Sequence, residues 1–136
     1  HYYLDGGIAD SIPFLHSLCD VKCDKLIVVL TREHGYVKTT EKAVRITDKL
    51  YKKYPNIVEA LDTRAERYNK DVKELEELEK QGKVFVIAPK TTMGVGRTES
   101  DPKKLRALYE EGCRIGKERM AALREYLQSE PAAKID

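Results

Sequence analysis

A chain of 136 residues, 41% hydrophobic and 35% charged, can bury about two-thirds of the surface its unfolded form exposes, and one domain is the default at this length. Its net charge of +2, with both signs interspersed, lacks the clustered basic face that nucleic acid requires. No apolar run approaches the ~20 residues of a membrane span, and no secretory leader is visible in these residues.

In chain order, the first expected strand is Tyr2 to Leu4, which runs directly into Asp5-Gly6-Gly7. A carboxylate at a strand end lies where open α/β sheets place their chemistry, and the glycines remove bulk beside it. Asp10 or Ser11 then caps a helix, with Pro13 in its first turn and Phe14, Leu15 and Leu18 on it. After a polar turn over residues 20–24, Lys25 to Thr31 is a continuous β-branched run. That composition predicts a strand buried on both faces, as in a helix-covered parallel sheet. The loop from Arg32 to Thr40 follows, leaving the same sheet edge as Asp5 if the two strands are parallel.

A helix is expected from Thr40 to Lys53, ended by Tyr54-Pro55. A second, long helix spans Asn56 to Gln81, with Ile57, Leu61, Ala65, Tyr68, Val72, Leu75 and Leu78 as its apolar stripe. Charges fill its other faces, and Gly82 terminates it. Lys83 to Ala88 is the third strand, stopped by Pro89. A loop holding Gly94 and Gly96 leads to Asp101-Pro102, a cap followed by a first-turn proline. The last helix carries Leu105, Leu108, Tyr109, Ile115, Met120, Leu123 and Leu127. Gly112 and Gly116 within it either break the helix or admit a close helix contact.

The expected fold class is therefore α/β: a partial layered sheet of about three mainly parallel strands flanked by helices. Residues 1–128 form that unit and 129–136 a tail. A sheet so small exposes unpaired edges, which invites a second copy of the chain to pair there as a homodimer.

The three cysteines, Cys19, Cys23 and Cys113, are odd in number and suit a reducing, cytoplasmic setting. His16, Cys19 and Cys23 would share one helix face if a helix continued that far. They read more simply as packing residues, so no metal and no cofactor is expected. Asp10 fits a helix cap better than catalysis. Arg32 either meets an anionic headgroup or forms a structural ion pair. His34, Lys90 and Arg97 are loop residues that fit a solvated surface better than a site.

Several stretches in order resemble a bacterial branch of the patatin-like phospholipases. They are Leu4-Asp5-Gly6-Gly7-Ile8-Ala9-Asp10-Ser11-Ile12-Pro13, then Val28-Val29-Leu30-Thr31-Arg32 with Gly35-Tyr36-Val37-Lys38. Next come Tyr54-Pro55 with Arg67-Tyr68-Asn69, and Val86-Ile87-Ala88-Pro89 with Gly96-Arg97 and Leu108-Tyr109-Glu110-Glu111-Gly112. The resemblance implies an incomplete patatin-like fold and an enzyme that hydrolyses lipid esters with a Ser-Asp dyad. Asp5 would be the dyad base, Gly6 and Gly7 its supporting motif, and a lipid or ester the substrate, met through peripheral membrane contact. The family's Gly-x-Ser-x-Gly elbow is absent from these residues, so this stretch alone is expected to be inactive, as the carboxy-terminal part of a longer protein. A carboxylate is a weak base at neutral pH, and burial among Ile8, Ile12 and Phe14 would make it a better one. Without the resemblance, Asp5-Gly6 reads as a turn. A second interpretation is a non-catalytic helical module that docks a partner protein or a membrane surface.

Overall fold

The computed structural model describes residues 3–19, 23–39, 51–96 and 98–130. A 3-10 turn over Gly6–Ile8 precedes α1 (Phe14–Cys19), β1 (Leu26–Val29), α2 (Pro55–Asp62), α3 (Arg64–Lys80), β2 (Val84–Ile87) and α4 (Pro102–Gln128). The two strands pair in parallel, Leu26 opposite Val84 through Val29 opposite Ile87. Parallel pairing requires a crossover, and α2 and α3 lie within it.

The molecule is mixed helix and strand, with this small sheet between helical layers. Val84 and Val86 turn one face of β2 onto Phe14 of α1 and Leu75 and Leu78 of α3, and Leu26 and Val28 of β1 pack against the same cluster. Phe85 turns the other face of β2 toward α4, where its ring meets Tyr126 at 5.5 Å and the Arg119 guanidinium at 4.5 Å. β2 is therefore covered on both sides. β1 is not: Ile27 and Val29 are 39% and 68% exposed, because α4 lies over β2 and leaves its neighbour open. The expectation that β1 is buried on both faces thus fails on one face.

Two strands stand among the described residues where three were expected. Tyr3 and Leu4 pair with neither and are exposed. The long helix is divided at Thr63, whose hydroxyl donates to the Glu59 carbonyl at 2.8 Å while its N–H also reaches back to Glu59. Such back-bonding competes with the helical ladder and bends it. At the other end the chain behaves as expected. Gly82 adopts φ +70°, its N–H reaches the Glu79 carbonyl at 2.9 Å and the Lys83 N–H reaches Leu78 at 3.0 Å, which is a Schellman termination. Asp101 caps α4 by accepting from the Lys103 N–H at 2.9 Å. Gly112 and Gly116 do not break α4, and among the described residues nothing lies within 4 Å of the space their side chains would fill. Most of the expected 40–53 helix, the polar turn at 20–22 and the end of the tail lie outside the described residues.

Candidate functional site

Asp5 begins the site. Its Oδ1 accepts from the Gly7 N–H at 2.8 Å, and the Ile8 N–H closes onto the Asp5 carbonyl at 3.1 Å. The carboxylate caps the 3-10 turn and stays exposed, so the apolar burial expected of it does not occur. The turn comes too early for Ile8, Ile12 and Phe14 to fold over it. Gly7 has a steric reason to lack a side chain: a Cβ would sit 3.3 Å from Asp5 Oδ1 and 3.7 Å from an Arg64 guanidinium nitrogen. Gly6 has no such neighbour.

Two arginines of α3 hold this turn by its carbonyls. Arg64 Nε donates to Gly7 O at 2.9 Å. Arg67 donates to Ile8 O at 3.0 Å, to Ala9 O, and to Ala60 O at 2.7 Å across the α2–α3 break. The next two residues serve a different loop. The Tyr68 ring meets Tyr36 edge-on at 6.0 Å, with the Lys38 ammonium 4.9 Å from its centre. Asn69 brackets the Lys38 peptide, accepting from its N–H at 2.8 Å and donating to its carbonyl at 2.9 Å. One helical turn thus ties the Asp5 turn and the loop after β1 to the same support.

A cavity of about 290 Å³ opens beside this support, lined by Ile8, Asp10, Ile12, Phe14 and Leu15 from the amino-terminal segment and by Arg64, Arg67, Tyr68, Lys70 and Asp71 from α3. Burial, reinforced by Asp10 and then Glu74, pushes the Asp71 carboxyl above its usual range, against the pull of Lys70 and Arg67. Burial also raises the Tyr68 hydroxyl, with Tyr36 adding to it. Ile12, Phe14 and Tyr68 are shared with a more open groove of about 370 Å³ that follows β1 from Leu26 to Thr31. The space therefore combines apolar side chains with Arg64, Arg67 and Lys70 and a carboxyl of raised proton affinity.

The remaining expected residues fall as follows. Neither Asp10 nor Ser11 caps α1, which begins further on at Phe14: the Asp10 Oδ1 accepts from the Ile12 N–H at 3.1 Å in a turn before it, the Ser11 hydroxyl donates to the Gly7 carbonyl at 2.8 Å, and Asp10 also lines the cavity with Asp71. Arg32 makes no ion pair among the described residues; its guanidinium stacks over Tyr36 at 5.1 Å. His34 sits against Val72 and Glu76 of α3. Lys90 stands 4.0 Å from Glu118, and Arg97 lies outside the described residues. Cys23 Sγ donates to the Ser17 carbonyl at 3.3 Å, and among the described residues no His, Cys, Asp or Glu side chains gather into a metal-binding group. No helix among the described residues is long and apolar enough to cross a membrane. Arg64 and Asp71 escaped the sequence analysis, and Arg67 entered it only as part of a motif. Their spacing, three and then four, draws a polar stripe beside the apolar one on α3.

Residues 54–128, more than half of the chain, match the family described as Domain of unknown function (DUF6363). The chain belongs to that family. No curated protein matches the chain, and no solved structure does.

Proposed function

We propose that this DUF6363 family member supplies the general base of a lipid acyl hydrolase of the patatin-like kind, with Asp5 as that base. The observation that carries the proposal is the state of Asp5. It is an exposed carboxylate with one oxygen fixed by the Gly7 N–H, on a turn anchored through three carbonyls to α3. A dyad needs a carboxylate that is held still yet open to a hydroxyl.

A serine supplied by residues outside this chain gives its proton to Asp5 and attacks the ester carbonyl; the alcohol leaves with that proton, and a water that Asp5 deprotonates in turn releases the acid from the acyl-serine, whose oxygen recovers the proton. The chain's own share is orientation. Gly7 leaves room beside Asp5, and Arg64 and Arg67 set the direction of the turn. The Arg32 guanidinium, stacked on Tyr36, serves an anionic headgroup.

The test is hydrolysis of a short-chain chromogenic ester by the full-length protein that contains this chain, with Asp5→Ala and Asp5→Asn alongside. A general base contributes about 10²–10⁴ in rate, so both variants should fall by that order, with the melting temperature kept in Asp5→Asn, whose amide oxygen can still accept from the Gly7 N–H. Parent-like hydrolysis by either variant, or none by the parent itself, overturns the assignment.

A further inference from the structure

Helix α4 is 27 residues long, yet it touches the sheet through only one side, where Ile115 is buried, Arg119 crosses Phe85 and Tyr126 meets the same ring. Next to that side lies an exposed apolar row formed by Leu105, Tyr109, Met120 and Leu127, with Tyr109 71% exposed. Gly112 and Gly116 sit within the row with open space above them. Beyond it, along the same flank, stand the exposed cations Arg106, Lys117 and Arg124.

Charge separates this sector from the rest of the helix. At 3.6 residues per turn, the apolar row and its basic flank occupy an arc of about 120°; Glu110 stands just beyond its basic edge, and Glu111, Glu118 and Glu125 lie on the far side of the helix. Of the helix's cations, Lys104 pairs with Glu99, Arg114 with Glu111 and Glu118, and Arg119 with Glu79. Among the described residues the side chains of Arg106, Lys117 and Arg124 make no ion pair or hydrogen bond, and neither does that of Lys103 outside the sector. An apolar row bordered by uncompensated cations, over a length of about 33 Å from Leu105 to Leu127, matches a bilayer interface with negatively charged headgroups.

We infer that α4 docks this chain on an anionic lipid surface, laying Leu105, Tyr109, Met120 and Leu127 against the acyl boundary and Arg106, Lys117 and Arg124 against the headgroups. The inference stands on α4 alone and does not require Asp5 to be catalytic. A second copy of the chain seated antiparallel on the sector fits less well, because its basic flank would face the same three cations.

The chain contains no tryptophan, so Tyr109→Trp places a single reporter in the row. The full chain carrying it is titrated with vesicles of phosphatidylcholine alone and of phosphatidylcholine with phosphatidylglycerol. A blue shift confined to the anionic vesicles is expected. Co-sedimentation of the otherwise unaltered chain is compared with Arg106→Glu/Lys117→Glu/Arg124→Glu. A control, Lys52→Glu/Lys53→Glu/Lys73→Glu, changes net charge equally at exposed positions elsewhere. Each cation near an anionic surface is worth about fivefold in partitioning, so the α4 variant should bind on the order of a hundredfold more weakly while the control stays much closer to the parent. No shift on anionic vesicles, an equal shift on neutral ones, or equal losses in the two triple variants would each overturn the inference. So would a dimer by light scattering that the α4 variant abolishes while vesicle binding persists.

Discussion

Replacing Arg67 with alanine should loosen the Asp5 turn by an amount the contacts define. The guanidinium donates to three carbonyls, of Ile8, Ala9 and Ala60. The Ala9 bond is exposed, so water replaces it at little cost. The two part-buried bonds, to Ile8 and Ala60, involve a charged donor and are worth about 2 kcal/mol each when broken. Freeing the long side chain returns up to about 2 kcal/mol of rotamer entropy. The net loss is about 2 kcal/mol, or on the order of 8 °C in melting temperature for a domain of this size.

The loss has a place as well as a size. The N–H groups of Ile8, Ala9 and Asp10 close the turn onto the Asp5 and Gly6 carbonyls, and their hydrogen-exchange protection should fall by up to about thirtyfold. Arg67→Lys should recover little, because one ammonium cannot span three carbonyls as a planar fork does. Melting by circular dichroism and amide exchange by nuclear magnetic resonance read the two effects separately. An unchanged melting temperature, with full protection kept at Ile8 and Ala9, would refute the role given to Arg67.

Gly82→Ala should cost about 1 kcal/mol and lower the urea midpoint. The cost is backbone strain alone, since φ is +70° and nothing crowds the position; Gly82→Asn should recover part of it. Asp71→Asn should stabilise the protein at neutral pH. The folded state raises the Asp71 carboxyl, chiefly by burial, so it disfavours the charged form. That penalty is full above the raised folded value and fades as pH falls toward the ordinary value of 3.8. Melting curves of parent and variant should therefore differ most at neutral pH and converge below that value. A constant gap across the range would assign the effect to packing instead.

The features legible in the sequence were those written in periodic or punctuating residues. Ala65, Tyr68, Val72, Leu75 and Leu78 are all buried, as their spacing requires, and Gly82, Asp101 and Pro102 end and begin helices where their backbone chemistry demands. The break at Thr63 was hidden because the apolar stripe runs through it without a change of phase. The open face of β1 was hidden for another reason. An unbroken apolar run records that a strand favours burial, while the position of α4 over β2 decides whether its neighbour is covered. Least legible was the support of the Asp5 turn. Arg64 and Arg67 bind carbonyls, which every residue possesses, 57 to 59 positions away. Such contacts leave no trace in the identity of the residues they hold.

Those separations bear on how the molecule comes into being. A chain made from its amino end presents the Asp5 turn long before Arg64 and Arg67 exist to fasten it. β1 must likewise wait for β2. The entrance to β1 waits longer still, since the Leu26 N–H and the Lys25 ammonium are both received by Tyr126, about 100 residues later. Pairings this distant form late and slowly. During synthesis the Lys25–Thr31 stretch is therefore a bare, sticky strand in need of shelter. The carboxylate is fixed only once the chain has grown past Arg67.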